Sequence, residues 1–133
     1  MLARVGHVPA RSRIPDTVRI ASINVNGIRA AVRNGMQAWL DDADVDIMAL
    51  QEVRATAEQL HAALPGWEIV NDEALVLGRA GVAIVSHEPV TAVRHGLGGD
   101  EVDSAGRWLE ADIDLGGIPL TIVSAYVPTG EVD

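Results

Sequence analysis

Ile20-Ala21-Ser22-Ile23-Asn24-Val25-Asn26-Gly27-Ile28-Arg29-Ala30 runs an apolar strand into two carboxamides, a turn glycine and a basic helix start. Carboxamides at the carboxyl end of a strand sit where open α/β sheets gather their ligands. Working outward, the next stretch of this kind is Asp46-Ile47-Met48-Ala49-Leu50-Gln51-Glu52, a second buried-type run with a carboxylate at its tip. Two strands ending in Asn24 and Glu52 suggest a divalent-cation site facing a phosphate. A hard cation such as Mg²⁺ takes oxygen ligands, few of them from protein, with water and substrate completing its shell. The plainer alternative is that Asn24 and Asn26 cap a turn and that Glu52 is a solvated strand terminus.

Around these strands the chain reads as alternating β and α, then as a β-rich meander. Val18–Asn24 is a strand, and apolar positions at Ile28, Val32, Met36, Trp39 and Leu40 predict one helix from Ile28 to Leu40. Thr56–Leu64 is a short helix that Thr56 can cap, with Pro65-Gly66 ending it. Trp67–Val70, Gly81–Ser86, Val90–Arg94, Arg107–Asp114 and Leu120–Val127 are strand-like, and Asp114–Leu120 is a tight hairpin. The fold class is α/β (α+β), a mixed sheet with flanking helices.

Composition sets the outer bounds. The 133 residues suit one domain with a real core, apolar at 48% and charged at 22%. With three Trp, one Tyr and no Phe, that core must be aliphatic. Zero cysteines exclude disulfides and thiolate metal sites and fit a reducing compartment such as the cytoplasm. No apolar run approaches the ~20 residues of a membrane span. The net charge of −9 argues against non-specific binding to nucleic acid, although a local arginine cluster beside a bound cation can still face phosphate. Residues 1–17, with Arg4, Arg11, Arg13, Pro9 and Pro15, form a basic leader expected to be disordered; the domain is expected over 18–133.

Several further positions invite a chemical role and a bland one. Arg29 and Arg54 can meet a phosphate or sit on solvated surface. Ala105-Gly106-Arg107-Trp108 opens a strand with a guanidinium that can brace an acidic group, and Tyr126, the one tyrosine, closes the last strand. Asp100, Glu101 and Asp103 read as a solvated acidic loop. His7, His61, His87 and His95 lack metal spacing, and there is no Walker loop, HExxH or serine elbow.

Taken in order, five segments resemble the exodeoxyribonuclease III and abasic-site endonuclease family, within the endonuclease/exonuclease/phosphatase superfamily. They are Ser22–Ala30, Asp46–Glu52, Ala80–Ser86, Gly96-Leu97-Gly98-Gly99-Asp100-Glu101 leading to Gly106-Arg107, and Ala125-Tyr126-Val127-Pro128-Thr129-Gly130. The resemblance implies a Mg²⁺-dependent hydrolase, with Mn²⁺ as a substitute, acting on duplex DNA at abasic sites or 3′ ends. It implies metal ligands at Asn24 and Glu52, a supporting Asn26, a phosphate-contacting Tyr126, and DNA-facing or bracing roles for Arg29, Arg54 and Arg107. In a bacterium it would imply a place at the nucleoid.

The family's later Gly-Asp-x-Asn and Ser-Asp-His segments are absent here. The chain therefore corresponds to the amino-terminal part of a two-sheet sandwich, expected to supply little more than the first sheet and to leave an apolar face bare. Two readings follow. One is an enzyme half that turns over only with the missing part supplied. The other is a non-catalytic fragment that binds cation or DNA weakly or self-associates through the uncovered sheet.

Overall fold

The computed structural model describes residues 17–76, 78–99 and 105–130. The basic leader as far as residue 16, His7 included, and the acidic positions 100, 101 and 103 lie outside them.

Among the described residues ten elements follow one another: β1 (Ile20–Asn24), α1 (Ile28–Arg33), α2 (Met36–Ala43), β2 (Ile47–Gln51), α3 (Ala57–Ala63), β3 (Glu68–Asp72), β4 (Val82–Ser86), β5 (Val90–His95), β6 (Trp108–Asp114) and β7 (Pro119–Ala125). β1 pairs parallel to β2, β2 antiparallel to β4, and β4 antiparallel to β3, giving a mixed sheet in the order β1-β2-β4-β3. This is the mixed sheet with flanking helices that the pattern predicts.

The meander departs from expectation. β5, β6 and β7 do not extend the first sheet; they form an antiparallel sheet of their own, laid against its second face. β2 and β4 are therefore buried on both faces along their whole length, which is why their sequences are continuous apolar runs rather than alternating ones. Met48, Leu50, Ala83 and Val85 meet the helices, through Ile28, Leu60 and Leu64. On the other side Ile47, Ala49, Val82 and Ile84 meet Leu109, Ala111, Ile113 and Ile122 of the second sheet. The apolar face expected to be bare, and with it the premise for self-association through that face, is thus covered. At the edge of its sheet β1 has a looser setting, with Ile20 50% exposed at its start.

The single predicted helix is in fact two. Asn34 ends α1, and Gly35 adopts φ 102°, a left-handed conformation that favours glycine. The break changes the face that α2 presents, so Met36 and Leu40 are buried while Trp39 is 46% exposed. α3 matches its prediction closely: Thr56 accepts from the Gln59 N–H while the Gln59 side chain accepts from the Thr56 N–H, a complete capping box. The β6–β7 hairpin also forms as read, closed by Leu115 N–H donating to the Ile118 carbonyl at 2.9 Å.

Candidate active site

Parallel pairing of β1 and β2 in the register Asn24↔Gln51 sets Asn24 and Glu52 side by side at one end of the sheet. Beyond the strand ends the chain does not splay. Val25 donates to Gln51, Gly27 to Glu52 and Ile28 to Val53; Val53 in turn donates to Gly81, Arg54 to Ala80, and Gly81 to Gly106. Four connections are laced into one rigid platform. Glu52 and Arg54 both have φ 50°, an uncommon left-handed conformation for residues with a side chain, so the backbone turns sharply on either side of Val53.

The second sheet is pinned to this platform by a polar contact. Ser124 Oγ donates to the Leu50 carbonyl at 2.8 Å, and Gln51 Nε2 lies 3.3 Å from both Ser124 Oγ and Ser22 Oγ. Since Tyr126 is two residues past Ser124 and Glu52 one past Gln51, the clamp brings the phenol to the carboxylate. The Tyr126 N–H also donates to the Arg107 carbonyl at 2.9 Å, joining the start of β6 to the same place.

Glu52 is the focus. The Asn24 side chain and the Tyr126 hydroxyl both donate to its carboxylate, and Arg54 adds an ion pair at 2.8 Å. The Asn24 bond, then the Tyr126 bond, then Arg54 hold the carboxyl below the usual glutamate range, so it is ionised at neutral pH. The hydrogen bond to Glu52, then burial, in turn push the Tyr126 phenol above the ordinary tyrosine value.

The structure thus gathers Asn24, Glu52, Arg54 and Tyr126 directly, with Arg107 beside them. Arg107 Nε is buried and has no hydrogen-bond partner among the described residues. Asn26 enters through its backbone, its N–H donating to Asn24 Oδ1 at 3.1 Å in a tight turn with φ 46°. Arg29 stands exposed on α1 and shares a pocket wall with Arg54. Among the described residues no three His, Cys, Asp or Glu side chains form a cluster. The donor set is one ionised carboxylate plus one carboxamide oxygen with a lone pair to spare. That fits a hard cation whose remaining positions are water and substrate, not a closed protein cage.

The sequence pattern of the Endonuclease/Exonuclease/phosphatase family matches residues 21–129, which spans both sheets and every residue of this cluster. The chain belongs to that family. Its relatives include the DNA repair nuclease APEX1 of Danio rerio, 31% identical over 84% of this chain and 36% of the relative. The exodeoxyribonuclease of Bacillus subtilis is 27% identical over 84% of this chain and 43% of its own length. Among solved structures, an AP endonuclease from Archaeoglobus fulgidus superposes with a TM-score of 0.69 at 31% identity, covering 84% of this chain and 42% of that one. The 3′ phosphatase NExo from Neisseria, bound to a product DNA hairpin, gives 0.63 at 28% identity, covering 79% and 40%. The chain spans less than half the length of each of these relatives.

Within this family member, two groups escaped the sequence reading. Ser124 and the side chain of Gln51 form the inter-sheet clamp from opposite ends of the chain, and no local pattern marks such a pair. Arg33 and Arg79 line pockets with Arg29 and Arg54. Counting arginines on the sheet's carboxyl side would have found them.

Proposed function

We propose that this chain carries one wall of a Mg²⁺-dependent DNA phosphodiester hydrolase, of the kind that incises abasic sites and removes nucleotides from 3′ ends. The observation that carries the reading is the convergence of Asn24, Tyr126 and Arg54 on an ionised Glu52 carboxylate at the meeting point of three strand ends. The repair-nuclease relatives support DNA as the substrate.

Glu52 and Asn24 would hold the cation, with Mn²⁺ as a substitute. When bound, the cation supplies Lewis-acid polarisation of a phosphoryl oxygen and steadies the leaving 3′ oxygen. The chain's own groups do the rest of the positioning. Tyr126 turns its hydroxyl from the carboxylate to a phosphoryl oxygen, and Arg107 braces the Tyr126 segment from within. Asn26 fixes Asn24 through the turn, while Arg29 and Arg54 receive flanking phosphates.

Turnover would draw its water-activating group from the further part of the fold that the longer relatives carry. Any self-association belongs to the β1 edge, where Ile20 is exposed, rather than to a sheet face. The cellular setting is the cytoplasm, at the nucleoid in a bacterium.

The test is incision of an abasic duplex with Mg²⁺, by this chain alone and together with the carboxyl-terminal part of a complete relative. The expected result is no turnover alone and metal-dependent incision on mixing. Robust turnover by the chain alone that survives Glu52→Ala would defeat the proposal.

A further inference from the structure

β1 ends its sheet with no strand on its outer side among the described residues. The backbone there has a fixed polarity. The Arg19 carbonyl accepts from the Asp46 and Ile47 N–H groups, and the Val25 N–H donates to Gln51 at 3.0 Å. Odd-numbered residues thus turn to β2, and Ile20, Ser22 and Asn24 turn their N–H and C=O groups outward. The other sheet edges are guarded. β3 carries Glu68 and Asp72, β5 has a bulge between Val90 and Ala92 followed by Arg94, and β7 opens on Pro119. Ile20–Asn24 has no charge, proline or bulge, the devices that keep strand edges apart.

Beside this edge, on its helix side, lies a cavity of about 280 Å³ lined by Ile23, Asn24, Val25, Ala31, Met36 and Trp39. Trp39 is 46% exposed, and Ile20 is half-exposed at the start of the strand. The two helices over this edge carry opposite charge: α1 has Arg29 and Arg33 and no acid, whereas α2 has Asp41 and Asp42 and no base. α1 starts beyond the carboxyl end of β1. The end of α2 meets the amino end, where Arg19 Nη1 donates to the Ala43 carbonyl at 3.0 Å. With Asp44 added, that end is net acidic even counting Arg19. The same surface laid antiparallel meets this charge order in reverse.

We propose that β1 is a dimerisation edge, at which a second copy of this chain pairs antiparallel about a two-fold axis through Ser22. Ser22 then stands opposite Ser22 and Ile20 opposite Asn24, so each outward N–H meets an outward carbonyl. The register is self-complementary. Trp39 of each copy closes over the apolar groove of the other, an aromatic anchor at the centre of the contact. The acidic end of α2 faces the basic α1 across the axis.

Sedimentation equilibrium of the full chain, without metal or DNA, should show a monomer–dimer equilibrium. Ile20→Lys and Trp39→Ala should each raise the dissociation constant at least about tenfold, because an isologous contact feels every change twice. Both side chains are half-exposed, so thermal melts should stay close to the parent. Arg94→Gln, on the outer face of the second sheet, should leave the constant unchanged. The chain has no cysteine, so Ser22→Cys supplies one thiol per copy at the axis, within disulfide reach of its counterpart. Mild oxidation should then give a covalent dimer, whereas Ile118→Cys on the β6–β7 hairpin should give none. A monomer at every concentration overturns the proposal. So does a dimer that Ile20→Lys and Trp39→Ala leave intact and Ser22→Cys does not bridge. A chain that stays monomeric yet binds the carboxyl-terminal part of a complete relative assigns the edge to that part and equally overturns the second copy.

Discussion

Two arginine–carboxylate clusters stand on this molecule and differ in what they leave available. On the outer face of the second sheet, Arg94 bonds Glu110 at 2.9 Å and Asp112 at 2.8 Å, and Thr121 also donates to Asp112 at 2.8 Å. The guanidinium is matched by two carboxylates, so the group is self-contained. At the strand ends the proportion is reversed. Glu52 is one carboxylate served by an amide, a phenol and a guanidinium, and further arginines line the adjoining pocket. The hydrogen bonds from Asn24 and Tyr126, ahead of Arg54, hold the Glu52 carboxyl in its charged form. The Arg94 group is a closed ion pair; the Glu52 group, with two neutral donors and one guanidinium on a single carboxylate, is the one proposed to take a metal and a phosphate.

The largest expected contrast is catalytic. In the mixed enzyme, Glu52→Gln should reduce abasic-site incision by more than about 100-fold, since even outer-shell partners of metal ligands are worth ~10–100-fold. Arg94→Gln, measured in the same gel assay, should stay near the parent rate. Equal losses would erase the distinction.

Next in size is the clamp that makes the first cluster. Ser124 is fully buried, and Ser124→Ala leaves the Leu50 carbonyl and Gln51 amide short of partners. Urea unfolding should show a loss of about 1–3 kcal/mol. The chain's one tyrosine offers a smaller, local readout. The Tyr126 phenol is raised by Glu52, so its contribution to stability is complete below ~10 and disappears as pH rises through its folded value. Ultraviolet titration should place its midpoint above ~10, and Glu52→Gln should bring it back toward that value.

Smallest is the effect at the outer cluster. Arg94 holds the Asp112 carboxyl down at about 2, against an ordinary value near 3.8. A depressed carboxylate stabilises above its unfolded value and ceases to do so as pH falls through about 2. Asp112→Asn should therefore lower the melting temperature slightly at neutral pH, and the two proteins should converge as pH falls through about 2.

These contrasts also mark how far the sequence can be read. β2 and β4 announced themselves, because a strand buried on both faces must be apolar throughout, and Thr56, four residues before Leu60, announced α3. The half-buried alternation of β6 was equally visible. Its partner sheet was not: alternation states that one face is covered and is silent on what covers it, so the meander's separate sheet needed the structure. Gly35 fell inside one predicted helix because apolar spacing alone does not say that its φ turns positive. For the site, Asn24 and Glu52 were legible as strand endings, and order along the chain added Arg107 and Tyr126. Gln51 with Ser124 was not, since 73 residues separate them and only sheet packing makes them neighbours. Arg33 and Arg79 carry no local mark either.

The central claim is that the Glu52 cluster, unlike the Arg94 cluster, accepts a divalent cation. Titrating Mn²⁺ into isotope-labelled chain and following paramagnetic broadening of amide resonances tests it directly. Selective broadening at Asn24, Glu52 and Tyr126, abolished by Glu52→Gln and absent around Arg94 and Asp112, is the predicted result. Broadening centred on Asp112 and Glu110, or a response that Glu52→Gln leaves unchanged, would contradict it.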